Sequence, residues 1–303
     1  MLTIAGIIVY VEVLNSNNPL LVEEVRPALK PITLQLAGRL SVRVYEDCRP
    51  NCLETGALQK GLVLMLDGFE LIEEGMGFGL PIVKYQDKTF FSSTANVSIT
   101  KVGSEWIITK VYTLDTVSIK KFGQASYIDD GLYSPLRKIF QTLYLKHKKL
   151  SPLFNKAMEL RDLANVKTEF VVVKPRGTIT VTYKCRPTTI DIQADFSGVA
   201  LNKCLEMLML NEQGSNTFQK YSDSNGSNLI CSKIGAWGKI TSKYASLMSM
   251  NGQISFSLRN RENVTFFRGW ERTRNRFSWA GLSYSIVPNN SVFAYTISLK
   301  STE

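Results

Sequence analysis

The sequence has almost no histidine, because His147 is the only one among its 303 residues. Metal sites built from several histidines are therefore excluded. A Ser-His-Asp or Cys-His mechanism would have to use this one side chain, which lies in a lysine-rich segment with helical periodicity. We accordingly predict no metal site and no cofactor.

Cysteine is also scarce. The five cysteines are odd in number and dispersed along the chain, which argues against a disulfide framework. Cys48 and Cys52 are close enough in sequence to close a small loop by a disulfide. Two reduced thiols are the favoured interpretation of this pair.

Long hydrophobic runs are missing, since no stretch reaches the roughly 18 apolar residues of a membrane span. The apolar start of the chain, residues 1–14, lacks a basic leading region and is interrupted by Glu12. It therefore predicts a buried strand rather than a signal peptide. From these two absences we predict a cytoplasmic protein.

Nucleotide-binding motifs are absent as well, although glycines alternate at Gly75, Gly77 and Gly79. The string lacks both the spacing and the following helix of a dinucleotide fingerprint, and no Gly-Lys-Ser/Thr follows it. Alternating glycines indicate close approach to the backbone, either by a ligand or by a facing aromatic ring. Two interpretations follow: a kinked strand, or the rim of a ligand cleft with Glu73 and Glu74 at its mouth.

Positive charge is abundant. The formal net charge is +10 with a pI of about 9.3, and hydrophobic residues make up 44% of the chain. This composition is typical of a folded globular protein. The basic balance favours an acidic partner, such as nucleic acid or an anionic glycan, or serves solubility alone.

Short segments with period-two or apolar patterning recur between turn signals and predict β-strands. The fold class we predict is mostly β: a large antiparallel β-sandwich, or two packed and duplicated sandwich modules, with an inserted helical pair. The predicted strands include Ile32–Tyr45 and Arg272–Trp279, whereas 202–210 is read as a short helix or a strand. The Ser/Asn/Gly-rich segment 214–228 predicts a long surface loop.

Two helix starts, at Ser134-Pro135 and Ser151-Pro152, place the helical pair at 134–165. The predicted domains are an N-terminal β-module at 1–130, the helical pair at 131–167 and a C-terminal β-module at 168–303, which together could form one continuous domain. Ordered matches such as Cys48-Arg-Pro50 with Cys185-Arg-Pro187 suggest an internal duplication or chance similarity between two strand-rich halves.

The densest combination of charge and aromatic surface is the stretch from Arg268 to Trp279. As one β-strand it would turn four side chains to the same face, about 6.6–7 Å apart. An arginine row at that spacing can fork onto successive carboxylates or phosphates, and a tryptophan can stack on a sugar ring or a base. The predicted ligand-binding residues are Arg268, Trp270, Arg272, Arg274, Arg276, Gly75, Gly77 and Gly79. The alternative is a solvated strand face with Trp279 on the core side.

Carboxylates could carry general acid/base chemistry on a glycoside if two of them met at a suitable separation. Glu73 and Glu74 are neighbours that point to opposite faces of a strand, so they make a poor pair. Glu73 and Glu271 are the candidates for a catalytic role. The sequence itself does not bring any two carboxylates together.

Three functions are compatible with these features. The first is a ligand-binding or carbohydrate-active β-sandwich protein that prefers an anionic glycan or acidic sugar, by analogy with the many large sandwiches that act on carbohydrates. The second is a nucleic-acid-binding module that uses the arginine-rich strand and the basic helices. The third is a non-catalytic interaction scaffold.

Overall fold

The computed structural model describes residues 31–45, 60–72, 76–85, 89–116, 177–201, 204–234, 237–273, 277–287 and 291–302. The strands are β1 Ile32–Ala37, β2 Leu40–Val44, β3 Val63–Leu66, β4 Phe69–Glu70, β5 Gly77–Tyr85, β6 Thr89–Val102, β7 Glu105–Thr116, β8 Thr178–Cys185, β9 Thr189–Asp195, β10 Cys204–Gln213, β11 Phe218–Asp223, β12 Asn228–Ile230, β13 Gly238–Ile240, β14 Tyr244–Ser249, β15 Ile254–Arg259, β16 Val264–Thr273, β17 Phe277–Ile286 and β18 Val292–Ser301. Every pairing between these strands is antiparallel. The predicted mostly antiparallel β class is therefore confirmed.

The strands form two sheets. The small sheet has the order β1-β2-β3-β4, and a ladder of 14 strands has the order β12-β11-β14-β15-β18-β9-β8-β7-β6-β5-β10-β17-β16-β13. Strands β5 to β7 and strands β8 to β18 belong to this one ladder, although 117–176 separates them in sequence. The predicted helical pair at 134–165 and the domain boundaries at 130 and 167 lie outside the described residues. The internal duplication stays a prediction.

The ladder folds over so that its two halves face each other as a sandwich. Phe78 on β5 packs against Phe256 on β15 with ring centroids 5.0 Å apart. Tyr284 on β17 packs against Tyr295 on β18 at the same separation. All four rings are almost completely buried, and burying a large apolar side chain contributes roughly 1.5–3 kcal/mol. These cross-sheet contacts make the core of the molecule.

The central strands have the alternation expected for a sheet with one buried face. In β8 every second residue from Ile179 to Cys185 is completely buried, and the residues between them are more exposed. Strand β9 repeats this pattern from Ile190 to Ala194. The period of two that predicts these strands therefore matches their alternation of buried and more exposed residues.

The two end strands of the ladder, β12 and β13, are neighbours in sequence. The chain between them contains a short 3-10 turn, Cys231–Lys233, in which Cys231 is completely buried. The connection therefore links the two ends of the folded ladder. It brings β16, which pairs with β13, close to β11, which pairs with β12.

Two sequence predictions on strand boundaries were wrong. Segment Ile32–Tyr45 is not one strand, because the chain turns between β1 and β2 at Gly38, whose φ is +49°. Segment 214–228 is not a continuous loop, because it contains β11. Although most of its residues are polar, the segment contains two completely buried aromatic side chains, Phe218 and Tyr221. The ambiguous segment 202–210 contributes a strand, since β10 starts at Cys204.

Within the described ranges, no helix combines the length and apolar character that crossing a bilayer requires.

Candidate functional site

The arginine-rich stretch forms a hairpin rather than the single strand predicted from the sequence. Strand β16 ends at Thr273, and β17 begins at Phe277, which is its direct cross-strand partner. A hairpin is favoured because both strands then bury apolar side chains, such as Phe266 and Leu282, on the same face. The continuous strand Arg272–Trp279 was therefore a wrong prediction. Arg274 and Arg276 lie between the two strands, outside the described residues.

Two of the predicted binding residues point inward and are held by the facing half of the sandwich. The Arg268 guanidinium lies over the ring of Tyr221, 4.4 Å from its centroid. The indole nitrogen of Trp270 donates a hydrogen bond to the carbonyl oxygen of Phe218 at 3.1 Å. Arg272, two residues further along the same face, is exposed. The hairpin therefore presents Arg272 on a frame that Arg268 and Trp270 fix in place.

Tyr221 is a neutral partner for Arg268 at physiological pH. Burial raises the pKa of Tyr221 to about 12, and a hydrogen bond from its hydroxyl to Asp223, 2.7 Å long, acts in the same direction. The positive charge of Arg268 acts in the opposite direction. The contact between the two side chains is therefore a cation–π interaction and not an ion pair with a phenolate.

The other face of the hairpin carries a pair of stacked indoles over two glycines. Trp237, which precedes β13, stacks on Trp279 with ring centroids 4.7 Å apart and an angle of 19° between the planes. Gly269 and Gly281 are direct cross-strand partners below them. A Cβ on Gly269 would lie 2.6 Å from Trp279, and one on Gly281 would lie 2.6 Å from Trp237. Glycine is thus needed at both positions to admit the rings.

Two carboxylates flank this glycine pair. Glu271 is the cross-strand partner of Trp279, and Glu212 on β10 is the partner of Gly281. Glu212 is 2% exposed, and its Oε2 accepts a hydrogen bond from the Met76 amide at 2.9 Å. Burial raises the pKa of Glu212 to about 7. The hydrogen bond from Met76 lowers it, and the charge of Glu271 raises it.

A general acid or base needs a pKa near neutral pH, but Glu212, like Lys110, is too deeply buried to contact a ligand. The sequence interpretation missed this residue and singled out Glu271 and Glu73 instead. The available signal was the polar triplet 211–213 directly after the apolar run 207–210 of the same strand. The structure places Glu271 close enough to Glu212 to affect its pKa, whereas Glu73 lies outside the described residues.

The glycine string is explained by contacts within the protein. Gly77 and Gly79 are buried in β5 and have φ values of +77° and +74°. A Cβ on Gly79 would lie 2.7 Å from Cε1 of Tyr183, and one on Gly77 would lie 2.9 Å from the carbonyl oxygen of Leu62. The kinked-strand interpretation accounts for both residues: an aromatic ring makes the close approach at Gly79, and the backbone of Leu62 makes it at Gly77. Gly75 lies outside the described residues.

The polar triplet of β10 fixes this kinked strand. Oδ1 of Asn211 accepts hydrogen bonds from the Gly79 amide at 3.0 Å and from the Tyr295 hydroxyl at 2.8 Å. Gln213 bonds the neighbouring strand β3 instead, because its Oε1 accepts from the Leu64 backbone amide at 3.2 Å. Buried polar groups that are fully paired in this way specify one arrangement of the chain.

A buried lysine lies at the end of a second polar chain. The Tyr183 hydroxyl donates to the Gly79 carbonyl at 3.0 Å and lies 2.9 Å from the Tyr112 hydroxyl. The Lys110 ammonium donates to the Lys60 carbonyl at 2.6 Å and lies 5.1 Å from the centroid of the Tyr112 ring. Burial lowers the pKa of Lys110 to about 7. Lys110 is completely enclosed, so we assign it to packing rather than to ligand contact.

In the part of the chain that the structure describes, no three His, Cys, Asp or Glu side chains group closely enough to hold a metal ion. Cys185, Cys204 and Cys231 are buried free thiols, and Cys48 and Cys52 lie outside the described residues.

No protein-family model and no curated protein matches the chain. Among solved structures, the chain is similar to the α-N-acetylgalactosaminidase NagBb from Bifidobacterium bifidum, at 6% identity and a TM-score of 0.47, over 89% of this chain but only 36% of that one. It is also similar to a galactose mutarotase-like protein from Lactobacillus casei, at 10% identity and a TM-score of 0.40, over 90% of this chain and 100% of that one. Because both TM-scores are below 0.5, these similarities carry no inference about the ligand, activity or functional residues of this chain.

Proposed function

We propose that this protein binds a carbohydrate, with a preference for an anionic glycan or acidic sugar, at the end of the β16–β17 hairpin. The observation that carries the proposal is the position of Arg272. It is exposed near the end of β16, in a hairpin whose inward residues, Arg268 and Trp270, are held by the facing sheet. A binding cation on a rigid frame loses little conformational entropy when a ligand binds.

The chemistry of this surface suits an acidic sugar. A guanidinium group forms paired hydrogen bonds with a carboxylate or sulfate, and charge-assisted hydrogen bonds are about twice as strong as neutral ones. Trp270 is only partly buried, so its ring adds apolar surface beside Arg272. Arg268 adds a positive charge on the same face of the strand.

The proposal concerns binding rather than catalysis. Glu271 neighbours Arg272 in sequence, so its side chain points to the opposite face of the strand, towards Trp279 and Glu212. An acidic ligand held by Arg272 does not require either carboxylate. Glu271 stays a candidate for catalysis only on the side of the hairpin that carries the stacked indoles.

The experiment compares two double variants with the same change in charge. Arg272→Ala with Arg274→Ala removes two cations from the hairpin. Arg259→Ala with Arg261→Ala removes two cations from the end of β15 and the loop that follows it, where both side chains are exposed. Binding of uronic-acid and sulfated oligosaccharides is measured by isothermal titration calorimetry, with folding checked by circular dichroism.

We expect the hairpin variant to lose about tenfold or more in affinity, because each charge-assisted hydrogen bond contributes roughly 1.5–3 kcal/mol. The β15 variant should bind like the wild type. Equal binding by both folded variants would contradict the proposal. Affinity for oligonucleotides that exceeds affinity for glycans, with a steep dependence on salt, would instead support the nucleic-acid alternative.

A further inference from the structure

A groove between the small sheet and the large ladder is lined by side-chain amides. Its volume is about 300 Å³, and none of its described lining side chains carries a charge. Asn216 and Gln219 come from the start of β11, and Asn251 and Gln253 come from the turn between β14 and β15. The groove is distinct from the face of the hairpin that carries the stacked indoles.

The turn between β14 and β15 is held in one conformation. Oδ1 of Asn251 accepts hydrogen bonds from the Ser249 hydroxyl at 2.8 Å and from the backbone amide of Gln253 at 3.1 Å. The Lys220 ammonium donates to the Met250 carbonyl at 2.6 Å. This wall of the groove is therefore organised before any ligand binds, which lowers the entropic cost of binding.

The start of β11, which pairs with β14 beside that turn, is held in a similar way. The side-chain amide of Gln219 donates to the Asn216 carbonyl at 2.6 Å. The Met250 side chain is 47% exposed, and partly buried Leu66 lies across the groove from the small sheet. The lining thus combines uncharged donors and acceptors with a small amount of apolar surface.

This combination matches the chemistry of a neutral sugar. An amide donates and accepts hydrogen bonds, as a row of hydroxyl groups requires, and the C–H face of a sugar ring can pack on a methionine side chain. A volume of about 300 Å³ is at the lower end of the range for ligand sites, which suits a ligand as small as a mono- or disaccharide.

The groove adjoins the hairpin through the turn before β11. The Ser215 hydroxyl lies 2.7 Å from the Ser278 hydroxyl, and Ser278 is the cross-strand partner of Arg272. Trp270 bonds the Phe218 carbonyl, one residue before Gln219. Asn216 lines the groove and directly follows Ser215, so these contacts place this end of the groove near Arg272.

We propose that the amide groove is a subsite for a neutral sugar unit of the glycan whose acidic unit binds at Arg272. This inference rests on the proposed function and adds the substrate class: an oligosaccharide in which neutral and acidic units are linked. The two subsites recognise different chemistry, so each can be removed without the other.

The test uses Met250→Ala with Gln253→Ala, since both side chains are exposed and neither supports the fold. Val102→Ala with Gln193→Ala removes the same kinds of side chain from exposed positions elsewhere. Both are compared with the wild type and with the Arg272/Arg274 variant. The probes are neutral disaccharides such as lactose and cellobiose, a free uronic acid, and a disaccharide that links a uronic acid to a neutral hexose, measured by calorimetry and saturation-transfer NMR.

We expect the groove variant to weaken binding of the mixed disaccharide about tenfold, to lose binding of the neutral disaccharides, and to keep binding of the free uronic acid. The Arg272/Arg274 variant should instead keep binding of the neutral disaccharides and lose binding of the free uronic acid. Wild-type affinity of the groove variant for the mixed disaccharide would overturn the inference while the proposed function stands. Failure of every sugar to bind the wild type would overturn both.

Discussion

Glu212 and Lys110 are ionisable side chains inside β10 and β7, and neither is more than 2% exposed. Burial disfavours the charged form of each, so it raises the pKa of the acid and lowers the pKa of the base until both lie near 7. The sequence shows that Lys110 has the same strand parity as Ile108 and Tyr112. That signal predicts the inward position of Lys110, but not the carbonyl group that it bonds.

The pH dependence of stability follows from the raised pKa of Glu212. Between its ordinary value of 4.5 and about 7, the folded protein keeps a proton that the unfolded chain has released. This contribution to stability is complete below pH 4.5 and is lost as the pH rises through 7. Glutamine resembles the protonated form and keeps an oxygen for the Met76 amide. Glu212→Gln should therefore raise the free energy of unfolding at pH 8 by about 1–3 kcal/mol.

Urea denaturation at pH 5 and pH 8 measures this effect as a difference between variant and wild type. Glu262→Gln is the matched control, because Glu262 is exposed in the loop between β15 and β16. The control should change stability by the same small amount at both pH values. A Glu212→Gln protein with the same pH dependence as the wild type would contradict the assignment.

At the scale of elements, the kinked start of β5 is held by several segments that are far from it in sequence. Its backbone meets Gly61 of the preceding segment, the ring of Tyr183 from β8 and the Asn211 amide of β10. The sequence showed that Gly77 and Gly79 needed close approach. It did not show that the approaching groups belong to the protein itself, because those groups are up to 132 residues away.

Two glycine variants separate the cost of backbone strain from the cost of a packing clash at the start of β5. Gly79→Ala places a Cβ 2.7 Å from Tyr183 at a φ of +74°, so both strain and a clash arise. Gly103→Ala has a similar φ of +60° in the β6–β7 turn, but nothing lies within 4 Å of its Cβ. We expect a loss of about 1–2 kcal/mol for Gly103→Ala and about 3 kcal/mol or more for Gly79→Ala. Equal losses in thermal or urea denaturation would contradict this account of β5.

The hairpin shows the same limit of sequence reasoning. The alternation of side chains along β16 was correct, since Trp270 and Arg272 share a face and Glu271 takes the other. The length of the strand was wrong, because a charged strand end and a charged turn have similar composition. Trp237 gave no signal of its role, since the indole it stacks on is 42 residues away in sequence.

For the whole molecule, one ladder joins strands from both sides of 117–176. Strand β7 pairs with β8 along eight consecutive residue pairs, from Trp106↔Cys185 to Thr113↔Thr178. Strand β5 pairs with β10 in the same ladder. Separate unfolding of residues 1–130 and 168–303 would break both interfaces and expose core rings such as Phe78.

The strands should accordingly unfold as one cooperative unit. We expect far-UV circular dichroism and tryptophan fluorescence to give coincident thermal transitions. Fluorescence reports on both sides of 117–176, because Trp106 precedes this segment and the other described tryptophans follow it. Calorimetry should give a calorimetric enthalpy equal to the van't Hoff enthalpy for that transition. Two well-separated transitions of the β signal would instead favour two modules.

The sequence by itself determined the mostly antiparallel β class and most of the central strands, because both depend on a local period of two. It also identified a basic, aromatic stretch and glycines that require close approach. Only the tertiary structure decided that this stretch is a hairpin, that Glu212 lies near Glu271, and that the amide groove adjoins Arg272. Those arrangements depend on contacts between residues far apart in sequence, and a local pattern does not specify which distant strands become neighbours.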